Sequence, residues 1–207
     1  MKITKIKEDI TPDIARSFKH SIAIDTEATG LQIPERDKLS LIQICDENQN
    51  VFIIQPDKKT YKAPNLVSVL ENEKILKIGH YLRFDKNALE FFLKCKMKNI
   101  FDTKIASKIV RTYTDAHGLK NLVQEFCNKS IDKRQGSSDW NKEIDDLSDK
   151  QLEYAANDVI YLHKIKKELE MMLIREKRLE IFGKCLTFLD TRVELDQKGF
   201  KEDIFEH

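Results

Sequence analysis

The chain has 207 residues, of which 41% are apolar and 34% charged, and a formal net charge of +1. This composition excludes a disordered or fibrous chain, and the length suffices for a core that needs no staples. No apolar run reaches the ~18 residues of a membrane span, and Cys45, Cys95, Cys127 and Cys185 are scattered without a C-x-x-C pair, so neither a helical membrane protein nor a disulfide or zinc framework is expected.

Taken in chain order, MKITKIKEDI lacks the apolar region of a signal peptide, which with the cysteine pattern points to a cytoplasmic protein. SIAID (21–25) reads as a buried strand. LSLIQIC (39–45) and NVFIIQP (50–56) flank a polar turn at residues 46–49 and read as a hairpin. Pro64 is placed to open a helix over 64–72. KILKIGH (74–80) is a further strand, and 83–95 carries apolar residues at helical spacing. Amphipathic helices follow over 102–113 and from Gly118 to about 127, then a polar loop over 128–146. Ser148 and Gln151 form a capping-box pattern that opens a long helix to about Met172. A second helical stretch reaches about Asp190, and 191–207 reads as an irregular tail. With no linker rich in Pro or Gly, residues 1–207 form one α/β domain whose C-terminal part, from about 173, is helical.

The small net charge hides an asymmetry. Residues 94–134 hold ten Lys/Arg against four Asp/Glu, and residues 139–158 hold two against seven. A basic segment beside an acidic one suits a site for a polyanion and cations, although clustered surface charge reads the same way.

Asp25 and Glu27, two apart at the end of an apolar strand, point to the same side. Such a pair is common at a solvated strand end. Asp85 falls in the first turn of the helix after the 74–80 strand, where alone it reads as an acid interacting with the helix dipole. Tyr154 and Asp158, four apart, stack on one face of a helix whose apolar stripe is Leu152, Ala155, Val159 and Leu162. If these four carboxylates converge, they cannot all stay ionised without cations. Hard oxygen donors suit Mg²⁺ or Mn²⁺ rather than zinc, and a pair of such ions suits phosphoryl displacement.

The order D-x-E, Asp, Tyr-x-x-x-Asp in IDTEATGL, KIGHYLRFDKNAL and YAANDVIYL resembles the Tyr-containing branch of the DEDD superfamily of 3′→5′ exonucleases. The ribonuclease D-like resemblance covers about residues 20–172, with FDTKIAS, HGLKNLVQEF and SSDW. Over nearly the whole chain, tail FLDTRVELDQKGFKEDIFEH included, the sequence is similar to the nano-RNase C type of short-oligonucleotide exoribonuclease. The resemblance implies a ribonuclease H-like mixed sheet flanked by helices. It also implies two divalent cations, Mg²⁺ or Mn²⁺, held by Asp25, Glu27, Asp85 and Asp158, with Tyr154 orienting the attacking water.

The implied substrate is short single-stranded RNA, including the dinucleotide pGpG, cleaved to nucleoside 5′-monophosphates by a homo-octamer. DNA stays open, because no residue here reads a 2′-OH contact. The alternatives are ribonuclease D-type trimming of longer RNA and a catalytically inactive nucleic-acid-binding module. Leu31 corresponds to an apolar wedge between the last two bases, or packs in the core. His80 matches a histidine of the second motif, while Tyr81 replaces the Asn of polymerase-type relatives. Lys104, Ser107, Lys108 and Arg111 share a helix face that is either phosphate-binding or merely solvated. Lys133, Arg134, Gln135, Ser137 and Ser138 offer donors for a 5′-phosphate, and Trp140 stacks on a base or anchors the loop.

Overall fold

The computed structural model describes residues 2–33, 35–131, 138–200, 202 and 204. Among the described residues, fifteen elements follow one another: β1 (Lys2–Lys7), α1 (Pro12–Ser17), β2 (Ser21–Ala28), β3 (Leu39–Asp46), β4 (Asn50–Gln55), α2 (Pro64–Leu70), β5 (Leu76–Gly79), α3 (Leu82–Leu93), β6 (Ile100–Asp102), α4 (Thr103–Val110), α5 (Leu119–Cys127), a 3₁₀ turn (Ile144–Asp146), α6 (Asp149–Ile160), α7 (Leu162–Arg175) and α8 (Leu179–Gln197).

The strands form one mixed sheet in the order β1-β4-β3-β2-β5-β6. The hairpin β3–β4 and the pair β2–β3 are antiparallel; β1–β4, β2–β5 and β5–β6 are parallel. Strand alternation splits the core in two. Ala23, Leu41, Cys45 and Ile53 face helices α5–α7, whereas Ile22, Ile24, Ile42, Ile44 and Ile54 face α2 and α3. A sheet buried on both faces explains why its central strands read as near-continuous apolar runs.

The α/β class and the mixed sheet flanked by helices agree with the sequence. Pro64 opens α2, and both arms of the Ser148/Gln151 capping box are made. Several boundaries differ. Strand β1, helix α1 and the three-residue β6 were not anticipated, because an alternating polar strand and two very short elements carry little periodicity. Strand β2 runs to Ala28, so Asp25 and Glu27 lie within it, before a bulge between Glu27 and Ala28. The single helix expected over 148–172 is interrupted at Tyr161: α6 packs on β2–β4, whereas α7 packs on α4, α5 and β5. The break keeps Leu162, Ile165, Leu169 and Leu173 buried. The expected tail is helical as far as Gln197, because Leu189, Arg192 and Val193 are buried and Asp196 pairs with both Arg83 and Arg192. Cys45 and Cys95 are buried free thiols; Cys127 and Cys185 are half-buried.

Candidate active site

Strand β2 and helix α6 bring three carboxylates together. Asp25, Glu27 and Asp158 each offer one oxygen, and these oxygens all lie within 4.8 Å of one another. Residues 25 and 27 share a face of β2 by the two-residue period, and α6 lies across that face. The fully buried Ala155 and Ala156 allow the helix to approach the sheet closely. Three carboxylates at this spacing repel, and a divalent cation relieves the repulsion. The cluster is all hard oxygen with no His or Cys, which fits Mg²⁺-like ions and disfavours zinc.

Tyr154 belongs to the same group. Burial first, then the negative charges of Asp158, Glu27 and Asp25, hold its phenol far above the usual tyrosine range. The hydroxyl is thus placed among the carboxylates as a hydrogen-bonding group. Its ring lies 5.9 Å from that of Trp140, which is only 3% exposed. Trp140 thus packs beside Tyr154 as an anchor and offers no face to a base.

Asp85 approaches from the other side of β2. Its Oδ1 accepts a 2.5 Å hydrogen bond from Thr26, the residue between Asp25 and Glu27. Burial, together with nearby Asp102, pushes the Asp85 carboxyl up to about 7 against the hydrogen bond from Thr26. Asp85 is not one of the three that close within 4.8 Å. Its helix is set by Asp102, whose buried carboxylate accepts from the N–H groups of Tyr81 (3.3 Å), Leu82 (2.7 Å), Lys104 (2.8 Å) and Ile105 (3.0 Å). One side chain thereby caps α3 and α4 together. Thr26 and Asp102 were missed as contributors. Asp102 had a signal, an acid directly before Thr103-Lys104-Ile105 at a helix start; the task of Thr26 depends on a residue 59 positions away.

The remaining sequence-selected residues divide. Leu31 is 84% exposed on a loop that Asp37 closes by accepting from the Gln32 N–H at 2.8 Å. A Cβ at Gly30 would lie 2.4 Å from Asp37 Oδ2, so this closure needs glycine. Leu31, Tyr81, Phe84 and Arg83 line an open cleft of about 360 Å³. Tyr81, at φ 68°, is held in the left-handed region, with Lys104 Nζ 4.3 Å from its ring centre. Thr103 donates to the Gly79 carbonyl at 3.0 Å and so accepts from Nδ1–H of His80 at 2.9 Å, which fixes that ring.

The face expected from Lys104, Ser107, Lys108 and Arg111 does not form one exposed stripe. Ser107 and Arg111 are buried. The Arg111 guanidinium pairs with Glu125 and donates to Ser107 Oγ at 2.9 Å and to the Ala116 carbonyl at 2.8 Å. Burial of the side chain and internal partners make it a structural residue, while Lys108 remains exposed. Ser138 is half-buried. Lys133, Arg134, Gln135 and Ser137 lie outside the described residues.

Residues 6–174 match a family of 3′-5′ exonucleases. Ribonuclease D of Haemophilus influenzae is 36% identical over 157 residues, 73% of this chain and 37% of that protein. The chain spans under half the length of the curated relatives it matches, from 24% to 46%. NrnC of Brucella melitensis with bound Mg²⁺ is similar at a TM-score of 0.91 and 43% identity, over 100% of both chains. The same protein bound to pGG gives 0.92 and 44%, over 100% of this chain and 99% of that one.

Proposed function

The chain belongs to the 3′-5′ exonuclease family, and we propose that within it the protein is a metal-dependent exoribonuclease of the NrnC type. Its substrates are RNAs of two to a few nucleotides, pGpG among them, degraded to nucleoside 5′-monophosphates. The observation that carries the reading is the convergence of Asp25, Glu27 and Asp158 within 4.8 Å beside the Tyr154 hydroxyl. A binding module has no need of such a cluster. Near-complete coverage of NrnC at 43–44% identity supports the short-substrate preference over trimming of long RNA.

Asp25, Glu27, Asp85 and Asp158 would hold two divalent cations, Mg²⁺ or Mn²⁺. When bound, such cations neutralise the phosphodiester and activate water. The chain's own groups supply position. The Tyr154 hydroxyl orients the water in line with the terminal phosphodiester. The water oxygen bonds to phosphorus as the bond to the 3′-oxygen of the preceding nucleotide breaks, and that oxygen leaves with a proton. Leu31, exposed at the cleft mouth, separates the last two bases. His80 and Lys104 meet the backbone, and Lys108, Ser138 and the loop residues Lys133, Gln135 and Ser137 hold the 5′-phosphate end. Ser107 and Arg111 shape this wall from beneath. A homo-oligomer, octameric by resemblance to nano-RNase C, would restrict access to short substrates in the cytoplasm.

The test is a time course on 5′-labelled RNAs of two, seven and about twenty nucleotides with Mg²⁺ or Mn²⁺. Prompt loss of the dinucleotide while the longest RNA persists is expected. Progressive shortening of the longest RNA with the dinucleotide left behind would overturn the short-substrate reading in favour of ribonuclease D-like trimming.

A further inference from the structure

A buried polar side chain is normally hydrogen-bonded, because an unpaired amide loses its water partners and gains nothing. Gln43, in the middle of β3, is fully buried, and neither its Nε2 nor its Oε1 has a hydrogen-bond partner among the described residues. The neighbouring strand shows how this fold satisfies a buried glutamine. In β4, Gln55 Nε2 donates to the Lys142 carbonyl at 2.8 Å, and Gln55 Oε1 accepts from the Ile144 N–H at 3.0 Å.

The position of Gln43 supplies a reason for keeping an amide there. The strand register sets it directly opposite Asp25 on β2 and Ile53 on β4. Directly opposed residues share a face of the sheet, with Cβ atoms about 4.5–5.5 Å apart. That face is covered by α6, the helix that carries Tyr154 and Asp158. Along and directly across the sheet on that face, Gln43 adjoins Asp25 and the apolar Leu41, Cys45 and Ile53; Glu27 and Gln55 lie on the diagonals, and both amide atoms of Gln55 already have partners. An unsatisfied amide next to a ligand carboxylate is a donor in reserve.

We propose that Gln43 is a positioning residue for Asp25. Its amide N–H donates to one oxygen of the Asp25 carboxylate when the other oxygen holds a divalent cation, and so fixes the direction of the ligand. Carboxylate ligands of metals are generally held by such donors, whose loss costs ~10–100-fold in metal affinity or activity. The inference rests on the reading of Asp25, Glu27 and Asp158 as a cation site.

Gln43→Met tests it, since the thioether nearly conserves volume while removing both amide groups. Two quantities are measured on the full chain: the melting temperature in EDTA, and Mn²⁺ affinity by calorimetry. The expected result is opposite movement, with melting raised by about 2–4 °C and Mn²⁺ affinity weakened ~10–100-fold. Raised melting with unchanged Mn²⁺ affinity overturns the proposal and makes Gln43 a packing residue only. Wild-type protein whose Mn²⁺ binding is absent, or survives Asp25→Asn, overturns the cation-site reading and this inference with it. Should Gln43→Met not fold, Gln43→Asn decides. Its donor falls one methylene short of Asp25, so weakened Mn²⁺ binding supports the proposal and wild-type affinity overturns it.

Discussion

The Thr26 hydroxyl donates to Oδ1 of Asp85 at 2.5 Å, across 59 positions of sequence. Thr26 stands between Asp25 and Glu27 and, by strand alternation, points to the opposite face of β2. A single strand end therefore presents two carboxylates to α6 on one side and tethers a third, from α3, on the other. Asp85 is 3% exposed, so this donor partly offsets the burial of a group that is otherwise costly to ionise.

Thr26→Val keeps the shape and removes that donor. It is expected to cost about 1–3 kcal/mol by taking a hydrogen bond from a buried acceptor. Urea unfolding in EDTA at pH 8 checks this, and a variant as stable as wild type would show that the bond contributes nothing.

Asp158→Asn removes one of three mutually repelling charges. The metal-free protein should melt at an equal or higher temperature, while hydrolysis of a dinucleotide falls by on the order of 10²–10³-fold. Melting scans in EDTA, with rates in Mg²⁺, separate the two effects. A variant that loses activity together with stability would mean that its loss reflects unfolding.

Tyr154→Phe retains the ring that packs against Trp140 at 5.9 Å and deletes only the hydroxyl. Turnover is expected to drop by about 10²-fold with KM and melting temperature little changed, as for a group that orients a reactant. Equal turnover in both proteins would remove Tyr154 from the mechanism.

Lys108 lies in the last turn of α4 and Arg111 is its C-cap, but the two should behave differently. Arg111→Ala leaves Glu125 without its buried partner and is expected to destabilise by about 2–4 kcal/mol. Lys108→Ala should stay within about 0.5 kcal/mol of wild type. Denaturant curves for both variants decide whether Arg111 is structural; a stable Arg111→Ala with weakened RNA binding would return it to the substrate.

Asp196 accepts from Nε and Nη2 of Arg83, each at 2.7 Å, and from Nη2 of Arg192 at 2.9 Å. Burial pushes its carboxyl up, but the hydrogen bonds and charges of the two arginines outweigh that and hold it below its usual value of 3.8. A depressed acid contributes stability above its unfolded pKa and loses it as pH falls through the folded value. Asp196→Asn should therefore cost about 1–2 kcal/mol at pH 7, with the gap to wild type closing below about pH 4. Urea midpoints at pH 7, 5 and 3.5 measure the gap, and one that stays constant down to pH 3.5 would refute the assignment.

Much of this was legible because short windows of sequence carry it. The apolar runs of β2–β5, the proline at the head of α2 and the capping box of α6 are local signals, and local physics honoured them. Helix α8 was cut short because its last turns are rich in charge and owe their order to Arg83 on a distant helix. Arg111 was misjudged for a related reason. Helical spacing gives the side of a residue but not what packs there, and Glu125 lies 14 residues further along.

By itself, the sequence singled out the side chains proposed to bear the chemistry, since the D-x-E pair and the Tyr154–Asp158 pair are defined by spacings of two and four within single elements and Asp85 by its place at a helix start. Only the tertiary structure decided what each is worth. It closed Asp25, Glu27 and Asp158 to within 4.8 Å, set the Tyr154 hydroxyl beside them and tied Asp85 to Thr26. It also set Gln43 unpaired across from Asp25. Hydrogen-bond partners and the loss of water come from residues far apart in the chain, so these properties exist only once the sheet and its two helical layers have closed.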